Sequence, residues 1–195
     1  MISVGITGGI GSGKTLVCNF FEILNVPVYY ADDRAKFLMN SDEDIKQGIK
    51  NAFGPDAYDK NGKLNRAFLA NQVFNNKEKL EKLNSLVHPA VWNDTSKWMQ
   101  SNADEPYVLY EAAILFESGS YKMLNKVITV YAPKETRIKR VVARDKTNIK
   151  EVQKRIDNQM SDEEKIAKSD YVVYNDGSQE LISQILNIHK ELINS

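Results

Sequence analysis

Gly8-Gly9-Ile10-Gly11-Ser12-Gly13-Lys14-Thr15 sits between an apolar run and an amphipathic one, and its reading decides the fold. It satisfies G-x-x-x-x-G-K-[ST], the spacing of a phosphate-binding loop. Glycine lets the backbone take turns that a side chain forbids, so successive N–H groups can aim at phosphate oxygens. Lys14 would add a mobile positive charge for the β- and γ-phosphates, and the Thr15 hydroxyl would ligate Mg²⁺, partly through water. The helix expected from about Gly13 onward would point its positive dipole end at the same anion. A chance match to four constrained positions in a chain of this size has a probability on the order of one per cent. Nucleotide binding follows, with Gly8, Gly9, Ile10, Gly11, Ser12, Gly13, Lys14 and Thr15 as the loop that performs it.

Outward from the loop, short apolar runs at 3–7, 26–30, 107–110, 127–131 and 171–174 read as strands buried on both faces. Helical patterns separate them, the signature of a five-stranded parallel sheet in an α/β fold. The stretch 31–106 is far too long for one crossover and reads as several helices. Those helices are expected at 32–39, 42–53, 65–74, 77–86 and 89–101, with a Gly/Pro/Asn/Asp-rich break at 54–63. Ligands of open parallel sheets sit beyond the carboxyl ends of the strands, so Gly8, Asp32, Glu111 and Asn175 should gather at one edge.

The 195 residues suit one domain, or one core with a sizeable insertion. Lys+Arg and Asp+Glu each number 26, and a zero net charge gives no support to a nucleic-acid partner. The single cysteine, Cys18, excludes an internal disulfide and reads as core within the first helix; it fits a reducing compartment. With the first strand starting at the second residue there is no room for a signal peptide, and no apolar run has membrane-spanning length. A cytoplasmic protein without a membrane partner is the expectation. Nothing in the residues specifies an oligomeric state.

Several side chains have two readings. Asp32 suits a base or metal-water holder opposite the γ-phosphate, and equally the N-cap of the helix that follows. Arg137, Arg140 and Arg144, spaced three and four apart, share a helix face that clamps phosphates or is simply solvated. The charged segment 145–169 favours the first reading, since it is placed as a lid over a nucleotide would be. His88-Pro89 reads as a joint, Pro89 opening a new helix, and His189 as surface. Asn125-Lys126-Val127-Ile128 lacks the Asp of a guanine reader, which argues against a GTPase switch and for a small-molecule kinase. A kinase of a nucleoside monophosphate and a nucleotide-dependent binding module remain as alternatives on this reading.

The chain resembles the dephospho-CoA kinase family nearly end to end. The likeness is carried by the loop itself, Ala31-Asp32-x-x-Ala35-Lys36, Gly62-x-Leu64-x-Arg66-x-x-Leu69 with Val73-Phe74, and Leu83-x-x-Leu86-Val87-His88-Pro89. It continues through Ile114-Leu115-Phe116-Glu117, Arg140-x-x-x-Arg144-Asp145, Arg155-x-x-x-Gln159 and Asp170-x-x-Val173-x-Asn175-x-Gly177. Departures are Tyr30 for the family's Asp, Lys36 for Arg, Ala113 for Pro and Ser169 for Ala.

The resemblance implies a three-layer P-loop kinase fold that uses ATP and Mg²⁺ to phosphorylate the ribose 3′-hydroxyl of dephospho-CoA. It implies Asp32 as the catalytic carboxylate, with Lys14 and Arg140 acting on the transferring group and Arg144 and Asn175 near the nucleotide. Asp32, Arg66, His88 and Glu117 would face the acceptor. The corresponding division is a nucleotide-binding core of 1–31, 106–140 and 169–195, a helical acceptor subdomain of 32–105 and a lid of 141–168.

Overall fold

The computed structural model describes residues 1–73 and 76–195. The chain divides into two compact units, one of 1–30 and 102–195 and the other of 31–101.

The first unit is built on five parallel strands, β1 (Ile2–Thr7), β2 (Val28–Tyr30), β3 (Tyr107–Glu111), β4 (Lys126–Tyr131) and β5 (Tyr171–Tyr174), in the order β2-β3-β1-β4-β5. β1 is central, with Val4 opposite Leu109 on β3 and Ile6 opposite Ile128 on β4. A strand buried on both faces needs apolar side chains throughout, which is why these runs do not alternate with polar residues. Two helices, α1 (Lys14–Ile23) and α9 (Leu181–Ile193), cover part of the sheet. Their Val17, Cys18, Phe21, Ile185, Ile188 and Leu192 share one core with Val4, Ile6, Leu109, Ile128, Val130 and Val173. Between β4 and β5 run α6 (Lys134–Asp145), α7 (Ile149–Asp157) and α8 (Asp162–Ala167). Each of the last two has a side-chain N-cap, Asn148 for α7 and Ser161 for α8, the latter within a full capping box with Glu164.

β2 is shorter than the apolar run 26–30 suggests. Pro27 has no N–H to give a ladder, although its carbonyl accepts from Leu109 N–H at 2.9 Å, and pairing begins only at Val28. His189 is also not a surface residue. It is half-buried, with Nδ1 2.7 Å from the Tyr107 hydroxyl, and burial lowers its pKa from the ordinary 6.5.

The second unit holds α2 (Ala31–Ser41), α3 (Glu43–Phe53), α4 (Arg66–Val73) and α5 (Lys77–Ser101), with a short 3₁₀ turn at Pro55–Ala57. Phe74, expected to close the fourth of these helices, lies outside the described residues. Ile45, Ile49, Ala57, Tyr58, Leu64, Leu69 and Val87 form its core. Arg34 locks α2 to α5 through a two-pronged contact with Asp94, at 2.8 and 2.6 Å. The Tyr58 hydroxyl donates to Met39 O at 2.8 Å, and Asn40 Oδ1 accepts from Leu64 N–H at 2.9 Å. The break at 54–63 is thereby pinned on the end of α2.

The expected joint at His88-Pro89 is absent. α5 is a single helix through Pro89. Pro89 is exposed, so the carbonyl it cannot serve is open to water, while Val87 and Thr95 on either side are buried and hold the helix together.

Candidate active site

β1 ends at Thr7 and α1 begins at Lys14, so the glycine loop occupies the carboxyl end of the central strand. Gly11 and Gly13 have φ of 81° and 97°, in the left-handed region that L side chains avoid. At Gly11 a Cβ would stand 2.6 Å from the Arg137 carbonyl, and at Gly13 it would collide with the Asn175 amide. These glycines therefore admit close neighbours on the loop's outer side. Gly13 caps α1 without a side-chain acceptor, and the first turn carries no acidic residue. The N-terminal amides of α1 would thus meet an anion with no competing carboxylate from their own helix.

Lys14 Nζ donates to Gly8 O at 3.0 Å and lies 4.0 Å from Glu111 Oε1, at the end of β3. The Thr15 side chain is exposed on the first turn of α1. Two buried hydroxyls, Thr7 Oγ1 and Ser12 Oγ, have no hydrogen-bond partner among the described residues. A buried hydroxyl without a partner costs about 1–3 kcal/mol. Their position beside the loop suits a polar group brought by water or nucleotide.

The arginines of α6 are not one solvated stripe. Arg137 is only 3 % exposed: its Nε donates to Ala132 O at 3.1 Å, its Nη1 to Ile10 O at 3.5 Å, and its Nη2 pairs with Asp162 of α8. Burial pushes the Asp162 carboxyl above its ordinary range, against the pull of Arg137 and Lys165. Arg140 is exposed and lies over the loop, with Nη1 at 3.4 Å from both Gly11 O and Ser12 O and Nη2 at 3.0 Å from Asn175 O. Arg144 grips Asp145, which Arg155 also reaches at 2.9 Å. The Arg144 hydrogen bond, helped by Arg155, holds the Asp145 carboxyl below its usual range.

Asn175 follows β5 and donates from Nδ2 to Ser12 O at 2.8 Å, bracing the loop from the side opposite β3. Glu117 is engaged by the α7–α8 turn: its Oε1 accepts from Met160 N–H at 2.7 Å and lies 3.2 Å from Lys165 Nζ. Lys165 is fully buried, and that ion pair lacks hydrogen-bond geometry. Gln159 Oε1 accepts from Ile10 N–H at 2.9 Å, and its Nε2 donates to Ala113 O at 3.3 Å. Gly8, Lys14, Glu111, Arg140 and Asn175 are therefore together at the carboxyl edge of the first unit's sheet.

In the helical unit, Asp32 and Asp33 lie in the first turn of α2. The helix already includes Ala31, so the capping position falls on Tyr30 and Asp32 is not the N-cap. Its side chain is exposed, whereas Asp33 is held by Lys36 at 2.6 Å. Arg66 opens α4 and His88 lies midway along α5; both are exposed.

Residue-by-residue reading of the sequence missed the work of Arg137 and Lys165 and assigned no part to Gln159 beyond its place in a motif. A basic stripe and a charged segment carry no mark of which member turns inward. The one available signal for Gln159 was its place in Arg155-x-x-x-Gln159, and it lies just beyond the end of α7 at Asp157.

A parallel sheet with its glycine loop running from the central strand into α1, a loop-bound lysine and an arginine laid over the loop define a P-loop kinase. The family model for dephospho-CoA kinase matches residues 2–180. A dephospho-CoA kinase of Salinibacter ruber is 42 % identical over 180 residues, covering 91 % of this chain and 90 % of that one. The crystal structure of a Thermus thermophilus protein superposes with a TM-score of 0.88 at 35 % identity, over 97 % of this chain and 96 % of its own. A dephospho-CoA kinase from Campylobacter jejuni gives 0.73 at 28 % identity, over 98 % and 97 %. The chain belongs to the dephospho-CoA kinase family.

Proposed function

We propose that the protein transfers the γ-phosphoryl group of ATP to the ribose 3′-hydroxyl of dephospho-CoA, giving coenzyme A and ADP, the last step of coenzyme A synthesis. The observation that carries this reading is the family match from residue 2 to residue 180, which takes in both the phosphate loop and the helical unit.

In-line transfer asks little covalent chemistry of the protein, so position and electrostatics do the work. The loop amides and Lys14 hold the donor phosphates, and Lys14 follows the charge as it moves to the leaving group. Arg140, already over the loop and exposed, neutralises charge on the transferring group, with Arg144 assisting. Asp32, exposed at the start of α2, orients the acceptor hydroxyl and takes its proton. Arg66 and His88 bind the acceptor's anionic and ribose portions, and Glu117 serves that side through the α7–α8 turn it holds. Asn175 keeps the loop in its nucleotide-binding shape. We read 141–168 as the lid and 32–105 as the acceptor subdomain.

The residues present fit Mg²⁺. Among those described, no group of three or more His, Cys, Asp or Glu side chains could hold a metal alone. A single exposed hydroxyl at Thr15 suits a hard cation that takes most of its oxygens from phosphates and water. Bound there, Mg²⁺ would offset phosphate charge. No helix among the described residues is long and apolar enough to cross a membrane, and a cytoplasmic location accords with the substrate proposed.

The deciding experiment gives the protein MgATP with dephospho-CoA, AMP, CMP or adenosine and scores phosphorylated products by mass. Coenzyme A from dephospho-CoA alone is expected. Turnover of AMP or CMP instead would replace the acceptor, and ATP hydrolysis with no transfer would remove the enzyme reading.

A further inference from the structure

We propose that Gln159 is a positioning residue for the phosphate loop: its side-chain amide ties the loop to the segment that follows β3 and so couples the α7–α8 turn to the donor site. The inference rests on the phosphoryl-transfer reading for its catalytic consequence but not for its structural one.

The geometry is specific to an amide. Oε1 accepts from Ile10 N–H at 2.9 Å and Nε2 donates to Ala113 O at 3.3 Å, so both ends of the group are used in opposite senses. Ile10 belongs to the phosphate loop, and Ala113 stands two residues past Glu111, whose carboxylate lies 4.0 Å from Lys14 Nζ. One side chain thus spans the loops that leave the neighbouring strands β1 and β3. The Ile10 peptide is held from its other side as well, Arg137 Nη1 donating to its carbonyl at 3.5 Å. Arg137 reaches Ile10 from α6 and Gln159 from the α7–α8 turn, and both are fastened to the α7–α8 region, through Asp162 and through the turn itself.

The turn does not depend on Gln159 for its place. Met160 N–H on Glu117, the buried Lys165 beside Glu117 and the Ser161 capping box secure it independently. A half-buried side chain on an already anchored turn contributes direction more than cohesion. Removing it should leave the fold and release the loop.

The test uses the full chain with Gln159→Ala, Gln159→Met and Gln159→Glu. The first readout is hydrogen exchange of the Ile10 amide by NMR, which needs no turnover. Exchange should accelerate in Gln159→Ala and Gln159→Met and stay slow in Gln159→Glu, which keeps an acceptor for Ile10. The second readout is kinetics. Loss of both hydrogen bonds should lower kcat by about three- to tenfold in Gln159→Ala and Gln159→Met, and loss of the Ala113 bond alone should lower it less in Gln159→Glu, while KM for ATP changes less than about twofold in all three. The thermal midpoint should stay within about 2 °C of the parent. Unchanged Ile10 exchange, or unchanged kcat despite faster exchange, overturns the proposal. So does a lowered midpoint with parallel loss of every parameter, which would mark Gln159 as a structural tether. If the parent chain itself fails to phosphorylate dephospho-CoA, that counts against the acceptor reading, and the exchange result still decides whether Gln159 holds the loop.

Discussion

Arg137 and Asp162 are 25 positions apart and meet in an ion pair with side-chain exposures of 4 and 15 %. The guanidinium has no other acidic partner among the described residues, and its Nε and Nη1 donate to the carbonyls of Ala132 and Ile10. Removing the carboxylate strands a buried cation under the phosphate loop.

Asp162→Asn should therefore destabilise the protein by about 3 kcal/mol, the scale seen when one member of a buried pair is deleted. Urea denaturation at neutral pH measures it. A loss under about 0.5 kcal/mol would mean that water reaches Arg137 readily.

Asp32→Asn should lower kcat by roughly 10²–10⁴-fold, the usual worth of general-base help, with ATP binding nearly intact. Lys14→Ala should weaken both ATP binding and turnover, because its contacts span ground and transition states. Steady-state kinetics paired with nucleotide titration separates these patterns. Full activity in Asp32→Asn would dismiss the base role.

Gly13→Ala forces an L residue to φ 97° and drives a methyl group into the Asn175 amide. Strain of this kind costs about 1–3 kcal/mol, so Mg·ATP-analogue affinity should drop by roughly tenfold or more in calorimetry. Asn175→Ala in the same background removes the collision but not the strain, and should restore only part of the loss.

His189 makes stability fall in mild acid. Its folded pKa is lowered by burial from the ordinary 6.5, so within that window the unfolded chain binds more protons than the folded one. Stability is then fully present above about 6.5 and is lost as the pH falls through that value towards the folded pKa. Denaturation at pH 8 and pH 5.5 should show the parent weakening by more than His189→Gln, which has no proton to gain. Equal losses would assign the pH effect to other groups.

The loop and the sheet were legible because their chemistry is local: contiguous glycines with Lys-Thr, and strands whose burial on both faces leaves unbroken apolar runs. Elements punctuated by proline were not. Pro27 removed Val26 from β2, where composition had placed it, and Pro89 failed to divide α5 because Val87 and Thr95 pack on either side of it. The partners of α6 were illegible for a different reason. Helical spacing groups Arg137 with Arg140 and Arg144, yet only Arg137 meets a carboxylate that arrives from α8. Asp32 shows a third limit, since spacing allowed a cap and a base alike until the start of α2 at Ala31 removed the cap.

Asn125 sits at the other end of the sheet from all of this. Its Oδ1 accepts from both Ser3 N–H and Ser3 Oγ at 2.8 Å, and its own N–H donates to Ser3 O at 2.8 Å. These three contacts fasten β1 against β4 at the amino edge, one strand length of about 20 Å from the phosphate loop. A slip of one residue would carry Val4 and Ile6 to the opposite face of the sheet, away from the core they share with α1 and α9, and that registration is secured without any group used in chemistry. Asp32→Asn should therefore keep the parent's strand register, so that its loss of turnover reports on chemistry rather than on unfolding.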